Sequence, residues 1–334
     1  MAGEGKKAVV QALAGSALLT AIKSGAYMVS GSNAMFAEAI HSLADTANQT
    51  LLLIGLSSST RRETTRHPFG FGKDRFVWAL LSAAGIFFLG CGVTMTHGVH
   101  ALLGDAHLEP PGWEVWTVLS ISFAIDLYVL VGALRHLNAQ RGDKGWMEHL
   151  RTTEDTTTVA VVFEDGAATF GVALAALGIM ATHYLGIAWA DAAATIIIGL
   201  LMGFIALFLV RQNRTYLIDR AVGADVQRRI LDIIRGRHPS VENIFEIKTR
   251  VVGAGIMSFT AEIEFDGAIL SERVVKRLDL REELAKLETP EDLDRLLDEH
   301  ARIVVDELGN EIDRIEEAVR EQIPGATFIA LEVD

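Results

Sequence analysis

The chain contains a single cysteine, Cys91, among its 334 residues. This scarcity excludes a disulfide framework and any metal site built from several thiolates. The H-E-x-x-H motif of metalloproteases and the G-x-G-x-x-G phosphate-binding loop are also absent. Charged residues make up only 22% of the chain and hydrophobic residues 50%. This balance is too apolar for an ordinary soluble protein.

Six apolar segments are long enough, at about 20 residues each, to cross a bilayer as helices. The first is not interpreted as a cleaved signal peptide, because Lys23 interrupts it and no small-x-small cleavage site stands out. We therefore predict an all-α bundle of six transmembrane helices over residues 1–211. The segments cover residues 8–30, 33–57, 76–103, 114–137, 158–182 and 187–210.

The distribution of lysine and arginine predicts the orientation of this bundle, because short loops rich in these residues stay in the cytosol. The connections around residues 30–33, 104–114 and 183–191 contain neither residue and are expected outside. Both termini are therefore expected in the cytosol, in the plasma (inner) membrane if the protein is bacterial. The basic residues that follow the second, fourth and sixth segments are Arg61, Arg62, Arg66, Lys73, Arg75, Arg135, Arg141, Lys144, Arg151, Arg211, Arg214 and Arg220.

Residues 212–334 form a charged tail, which is long enough for one small cytosolic domain and carries much of the net charge of −13. A helical pattern at its start is followed by two alternating runs, IFEIKTRVV and MSFTAEIEF, which predict a hairpin. Thr289, Pro290 and Asp292 predict the start of a later helix, and TFIALEV predicts a final strand. We predict a small α+β (ferredoxin-like) C-terminal domain with an extra helix near residues 271–287.

Polar residues in the second apolar segment lie on one helical face. His41 and Asp45 stand four residues apart, Glu38 precedes His41 by three residues, and Asn48 and Gln49 extend the stripe. A charged side chain at the bilayer centre costs about 2.5–3.5 kcal/mol on insertion scales, so it persists only when it is partnered or functional. The structural alternative is a polar seam that hydrogen-bonds two helices.

The fifth segment adds Glu164 and Asp165 to an otherwise apolar sequence. Three or four ionisable groups from two helices are more than a polar seam explains. An imidazole with carboxylates is a suitable ligand set for zinc. Metal binding inside a helical bundle that lacks an obvious catalytic partner favours transport of the metal.

Two stretches carry a resemblance to a known family. The segment SGSNAMFAEAIHSLADTANQ (residues 30–49) and the loop HPFGFGKDRF (residues 67–76) resemble the cation diffusion facilitators. Weaker similarity continues through AIKSG, FEDGAATFGV, DAAATIIIGLLMG and the tail, and the closest resemblance is to the branch around zinc transporter nine. It implies a homodimer of six-helix protomers that exports a divalent metal, usually zinc, against inward proton flow.

The resemblance also implies the position of the metal site. Carried over by position, its ligands fall on His41, Asp45 and Asp165. Val161 stands where many relatives have a fourth ligand, and its side chain cannot bind metal. Glu164 lies about 100° around the helix from Asp165, so it completes the shell only if the helix is distorted or rotated. A water molecule is the alternative fourth ligand.

Further residues are weaker candidates. His67 is a weak candidate ligand, since Phe71 stands where relatives with a metal site in this loop have a second histidine; the alternative is a loop residue fixed before Pro68. Asp126 of the fourth segment either lines the ion path or makes a structural hydrogen bond. Candidates for metal binding or proton handling beside the three ligands are Glu164, Glu38, Asn48 and Asp126.

Four other residues have structural interpretations. We expect Lys23 to reach toward the interface or to neutralise an inward carboxylate. Asp191 is expected to cap the sixth helix. His238 and His300 are expected at the surface of the tail, whose predicted strands contain no histidine.

We therefore predict a secondary-active exporter of divalent cations, with Zn²⁺ as the expected substrate and protons as the counter-transported ion. The alternatives are an exporter of Mn²⁺, Co²⁺ or Fe²⁺, and a membrane metal sensor or scaffold that binds without transport. We expect no enzymatic activity, no organic cofactor and no nucleic-acid partner.

Overall fold

The structure is a computed structural model that describes residues 2–104, 112–141, 145, 156–253, 255–276 and 280–334. The chain divides into two compact units, of which the first ends at Leu217 and the second begins at Ile218. The domain boundary predicted from the sequence, between residues 211 and 212, lies inside the last helix of the first unit. Hydropathy marks the end of the apolar segment, but the polar residues after it continue the same helix.

The first unit is built from long helices. They are α1 (Ala2–Ser30), α2 (Asn33–Ser59), α3 (Asp74–Gly85), a π-helical segment π1 (Ile86–Val93), α4 (Thr94–Leu103), α5 (Trp113–Arg141), α6 (Thr156–Tyr184) and α7 (Ala190–Leu217). Apolar side chains from five of these helices form a common core that includes Ala26, Met35, Leu119, Ile179 and Ile198.

Four segments of the described chain are long and apolar enough to cross a membrane. They are Asp74–Leu103, Trp113–Ala139, Val162–Tyr184 and Ala190–Leu217. The remaining two predicted spans lie within α1 and α2, which are 29 and 27 residues long. The polar stripe from Glu38 to Gln49 lowers the hydropathy of α2, so composition alone identifies a span less readily there.

The third predicted helix, residues 76–103, is not one continuous α-helix. Its middle is the π-helical segment π1, between α3 and α4. Glycines on both sides of the contact let this region approach α7 closely. A β-carbon added at Gly98 of α4 would lie 2.8 Å from Ile196 of α7, and one added at Gly203 of α7 would lie 2.9 Å from Cys91 of π1. A π turn carries an extra residue and is common at functional positions. The hydropathy of the segment contains no signal for it.

The C-terminal domain, which begins at Ile218, combines helices with one sheet. Its elements are α8 (Ala224–Arg237), β1 (Val241–Gly253), β2 (Ile256–Phe265), α9 (Gly267–Val275), α10 (Leu280–Ala285), α11 (Pro290–Gln322) and β3 (Ala326–Val333). The strand order is β1-β2-β3, with β1 antiparallel and β3 parallel to β2. Ile230, Ile234, Phe259, Ile315 and Val319 lie at its centre.

Local chemistry explains where these elements begin. Thr289 and Asp292 form the predicted capping box, in which each side chain accepts a hydrogen bond from the other residue's backbone N–H. The predicted hairpin strands correspond to β1 and β2, and the predicted last strand to β3. In the region of the extra helix the structure has two short helices, α9 and α10, with residues 277–279 between them outside the described chain.

Candidate metal-binding site

The polar face of α2 brings together two of the three predicted ligands. His41 Nε2 lies 3.4 Å from Asp45 Oδ2, one helical turn further along. His41 is buried, whereas 38% of the Asp45 side chain is exposed. His41 Nε2 has no hydrogen-bond partner in the described part of the protein. A nitrogen atom and an oxygen atom that could both bind a metal therefore lie side by side on one helix.

Carboxylates on α5 and α6 interact electrostatically with this pair. Asp165 of α6 interacts electrostatically with Asp45, Asp126 and His41. Asp126 of α5 interacts with both members of the α2 pair as well. Glu164, beside Asp165, interacts with Asp45 and Asp165. The buried Oδ2 atoms of Asp126 and Asp165 lack hydrogen-bond partners among the described residues. Three helices thus direct negative charge to one region of the bundle.

These side chains are near one another but are not assembled into a coordination shell. Within the described ranges, no three histidine, cysteine, aspartate or glutamate side chains are close enough together to hold a metal ion. Residue 161 lies in α6, but the Val161 side chain is outside the described part of the chain. The ligand set of His41, Asp45 and Asp165 therefore stays a prediction.

Glu38 has a different partner from the other polar residues of α2. Its Oε2 atom accepts a hydrogen bond from Lys23 Nζ of α1 at 2.9 Å, and both side chains are buried. This arrangement agrees with the expectation that Lys23 neutralises an inward carboxylate. The sequence contains a signal for the pair, because Lys23 lies eight residues before Gly31 and Glu38 seven residues after it. Two antiparallel helices joined at Gly31 place these positions at similar depth.

Asn48 belongs to a contact between helices. Its Oδ1 atom accepts a hydrogen bond of 2.7 Å from the Ser82 hydroxyl of α3, and both residues are buried. This is the polar seam that the sequence offers as the alternative to metal binding. Asn48 therefore fastens α2 to α3 one turn beyond Asp45.

His67 lies in the turn that follows α2. Its backbone pairs with Thr64, and its ring contacts the ring of Phe71 edge to face at 4.6 Å. The guanidinium of Arg61 lies over the face of the Phe71 ring in a cation–π contact. These contacts are those of an ordered loop residue, which is the alternative interpretation of His67.

The expectation that Asp191 caps its own helix is wrong, because its side chain acts on a different one. Asp191 lies in the first turn of α7 and is buried. Its carboxylate accepts hydrogen bonds from Ser32 Oγ at 2.8 Å, Asn33 N at 2.7 Å and Ala34 N at 3.2 Å, at the start of α2. The first amides of a helix have no partner within that helix, so an acceptor from another helix satisfies them. Sequence reasoning assigns the cap locally and misses this long-range pairing.

A second cluster of charges lies in the C-terminal domain. Glu311 of α11 is buried and accepts hydrogen bonds from Ser240, Arg273 and Arg314. Burial alone would raise the pKa of Glu311, but these hydrogen bonds and the two guanidinium groups outweigh it and lower the pKa to about 2. His238 is also buried, with Nδ1 3.3 Å from this carboxylate. The predicted surface position of His238 is therefore wrong, since the cluster covers it.

Comparison with known proteins identifies similar chains. Residues 9–218 match the model of the cation efflux transmembrane domain. Metal tolerance protein C4 of Arabidopsis thaliana is 37% identical over 342 residues, covering 98% of this chain and 73% of the relative. The human (Homo sapiens) protein called proton-coupled zinc antiporter SLC30A9, mitochondrial, is 32% identical over 332 residues, which cover 98% of this chain and 58% of that relative's own length. Magnetosome protein MamM of Magnetospirillum gryphiswaldense is 28% identical over 249 residues, covering 73% of this chain and 72% of the relative.

Proposed function

The chain belongs to the cation efflux family, also called the cation diffusion facilitators, and on this premise we propose that it exports zinc from the cytosol in exchange for protons. Members of the family are integral membrane transporters of divalent metal cations. The observation that carries this proposal is the electrostatic interaction of the His41–Asp45 pair on α2 with Asp126 on α5 and Asp165 on α6. Unpaired polar atoms inside an apolar bundle indicate a functional site.

The proposed cargo follows from the chemistry of the donors. Imidazole nitrogen and carboxylate oxygen suit zinc, and we propose His41, Asp45 and Asp165 as its direct ligands. The printed name of the human relative, a proton-coupled zinc antiporter, supports this choice. The same donor types bind Mn²⁺, Co²⁺ or Fe²⁺, so an exporter of one of these ions is the alternative within the class.

Proton coupling follows from competition at the same atoms. The ligands bind metal only when deprotonated, so metal entry releases protons and protonation expels the metal. We propose His41 as a proton carrier, because the imidazole nitrogen that binds the metal can bind a proton in its place. We propose that the transporter alternates between two states whose populations are biased by metal and by protons.

Glu164 is proposed as a proton-handling residue beside the site. It interacts electrostatically with Asp45 and Asp165. An ideal helix turns it about 100° away from Asp165, which disfavours direct coordination by both residues. We propose that water completes the shell in place of Val161.

We propose six membrane spans, formed by α1, α2, the α3–π1–α4 segment, α5, α6 and α7, with both termini in the cytosol. The basic residues of the loops that follow α2 and α7 support this orientation. A homodimer is proposed from the family resemblance.

Proton-driven zinc uptake into proteoliposomes tests the proposal. Inside-out vesicles with an imposed pH gradient should accumulate zinc, and Asp45→Ala should abolish accumulation. Thr50→Ala, which removes an exposed hydroxyl from the same helix, is the matched control and should transport normally. Glu164→Gln should retain zinc binding and lose coupling to the gradient. A wild-type protein that binds zinc and never moves it would instead be the metal sensor or scaffold.

A further inference from the structure

The ion pair between Lys23 and Glu38 is buried inside the membrane unit. Only 2% of the Lys23 side chain is exposed, and Glu38 is fully buried. Removing two charges from water carries a desolvation cost that a single contact seldom repays, and apolar residues of similar volume are often at least as stabilising. Stability alone is therefore a weak explanation for this pair.

The pair lies next to the proposed zinc ligands. Glu38 precedes His41 by three residues and Asp45 by seven, so all three positions share one face of α2. The Lys23 ammonium interacts electrostatically with Asp45 and Asp126 as well as with Glu38. A cation on α1 thus forms an ion pair with Glu38 and interacts electrostatically with two further carboxylates near the proposed site.

A third helix shapes the position of Glu38. A β-carbon added at Gly171 of α6 would lie 2.8 Å from Glu38 Oε1, so the glycine makes room for the carboxylate. The same helix carries Asp165 six residues earlier. Glu38 Oε1 has no hydrogen-bond partner within the described ranges. Glu38 therefore reaches toward the helix that supplies the third proposed ligand, while Lys23 holds its other oxygen.

We propose that Lys23 is a positioning residue for transport, a tethered cation that keeps Glu38 out of the ligand set and weakens zinc binding by repulsion. This inference rests on the proposed zinc site. Glu38, which Lys23 contacts, lies one to two helical turns from His41 and Asp45. Coulomb repulsion between a single and a double positive charge about 5–10 Å apart is large enough, at the effective dielectric constant of a protein, to raise a dissociation constant by about tenfold or more. Weaker binding speeds release of the ion, which a transporter needs in every cycle.

Zinc titration calorimetry and vesicle transport on the full-length protein test this role. Lys23→Met should bind zinc about tenfold or more tightly, with a lower KM and a lower maximal transport rate. Glu38→Gln leaves the cation without its partner and should weaken binding by a similar factor. Lys23→Arg keeps the charge and should restore near wild-type affinity. The double variant Lys23→Met/Glu38→Gln removes both charges and should lie between the two single variants.

Opposite shifts of affinity in the two single variants are the signature of a tethered cation, because loss of a purely structural pair would weaken binding in both. Equal or unchanged affinities in Lys23→Met and Glu38→Gln would overturn the inference. If Lys23→Met does not fold, unchanged affinity in Glu38→Gln alone overturns it. Failure of the proposed function looks different: wild-type protein would then bind no zinc, or would bind it as tightly after Asp45→Asn.

Discussion

Replacing Asp191 by alanine should release the start of α2 from α7. The carboxylate accepts hydrogen bonds from two backbone amides, Asn33 N and Ala34 N, at a buried position. Without it these amides lose their acceptor, and each buried unsatisfied donor costs about 1–3 kcal/mol. The two together give an expected loss of about 2–6 kcal/mol in the local stability of the first turn. The Ser32 hydroxyl, which also caps Met35, loses its second partner.

Hydrogen exchange measured by mass spectrometry in detergent micelles reads this change directly. A loss of 2 kcal/mol corresponds to about a 30-fold faster exchange of the amides at residues 33–35. Glu114→Ala is the matched control, because Glu114 is an exposed acidic residue in the first turn of α5. The reasoning is refuted if exchange at residues 33–35 is the same in Asp191→Ala, Glu114→Ala and the wild type.

Two further predictions concern the C-terminal domain, which has its own core. The pKa of Glu311 is lowered to about 2 in the folded domain, whereas a glutamate in an unfolded chain has a pKa of about 4.3. The ionised carboxylate therefore stabilises the folded domain by about 3 kcal/mol at pH values above about 4.3, and this stabilisation is lost as the pH falls toward 2. Urea unfolding of residues 218–334, followed by circular dichroism, measures the difference in unfolding free energy between the wild type and Glu311→Gln. This difference should shrink as the pH falls from 5 to 2, and a constant difference would contradict the expected role of Glu311. The control is Glu316→Gln, which removes a carboxylate from a surface ion pair on the same helix. Residues 212–334 should self-associate equally with and without a chelator, because their strands lack histidine; sedimentation that depends on metal would show that the acidic strand faces bind cations.

Signals that act over a few residues predict the structure well. The capping box of α11 and the hairpin of β1 and β2 depend on neighbours in the chain, and both are present. The pairing of His41 with Asp45 follows from helical periodicity alone. Membership of the family is confirmed by the match over residues 9–218.

Features that depend on the rotation and packing of distant segments could not be predicted in this way. Asp191 accepts hydrogen bonds from donors that lie 157–159 residues away in the sequence. Nothing in the local sequence distinguishes this arrangement from a cap on its own helix. His238 follows a helix and precedes a proline, which is typical of an exposed connection, yet Glu311 lies against it. The π-helical segment leaves the apolar composition of its helix unchanged.

The solitary thiol of the chain lies at the contact between π1 and α7. A β-carbon added at Gly203 of α7 would lie 2.9 Å from Cys91 Sγ, so the two helices meet at the sulfur atom. Because no other cysteine occurs in the sequence, a maleimide or methanethiosulfonate reagent modifies this position alone in the unaltered protein. Its reaction rate with and without zinc therefore measures whether this helix pair separates during transport, with no engineered residue required.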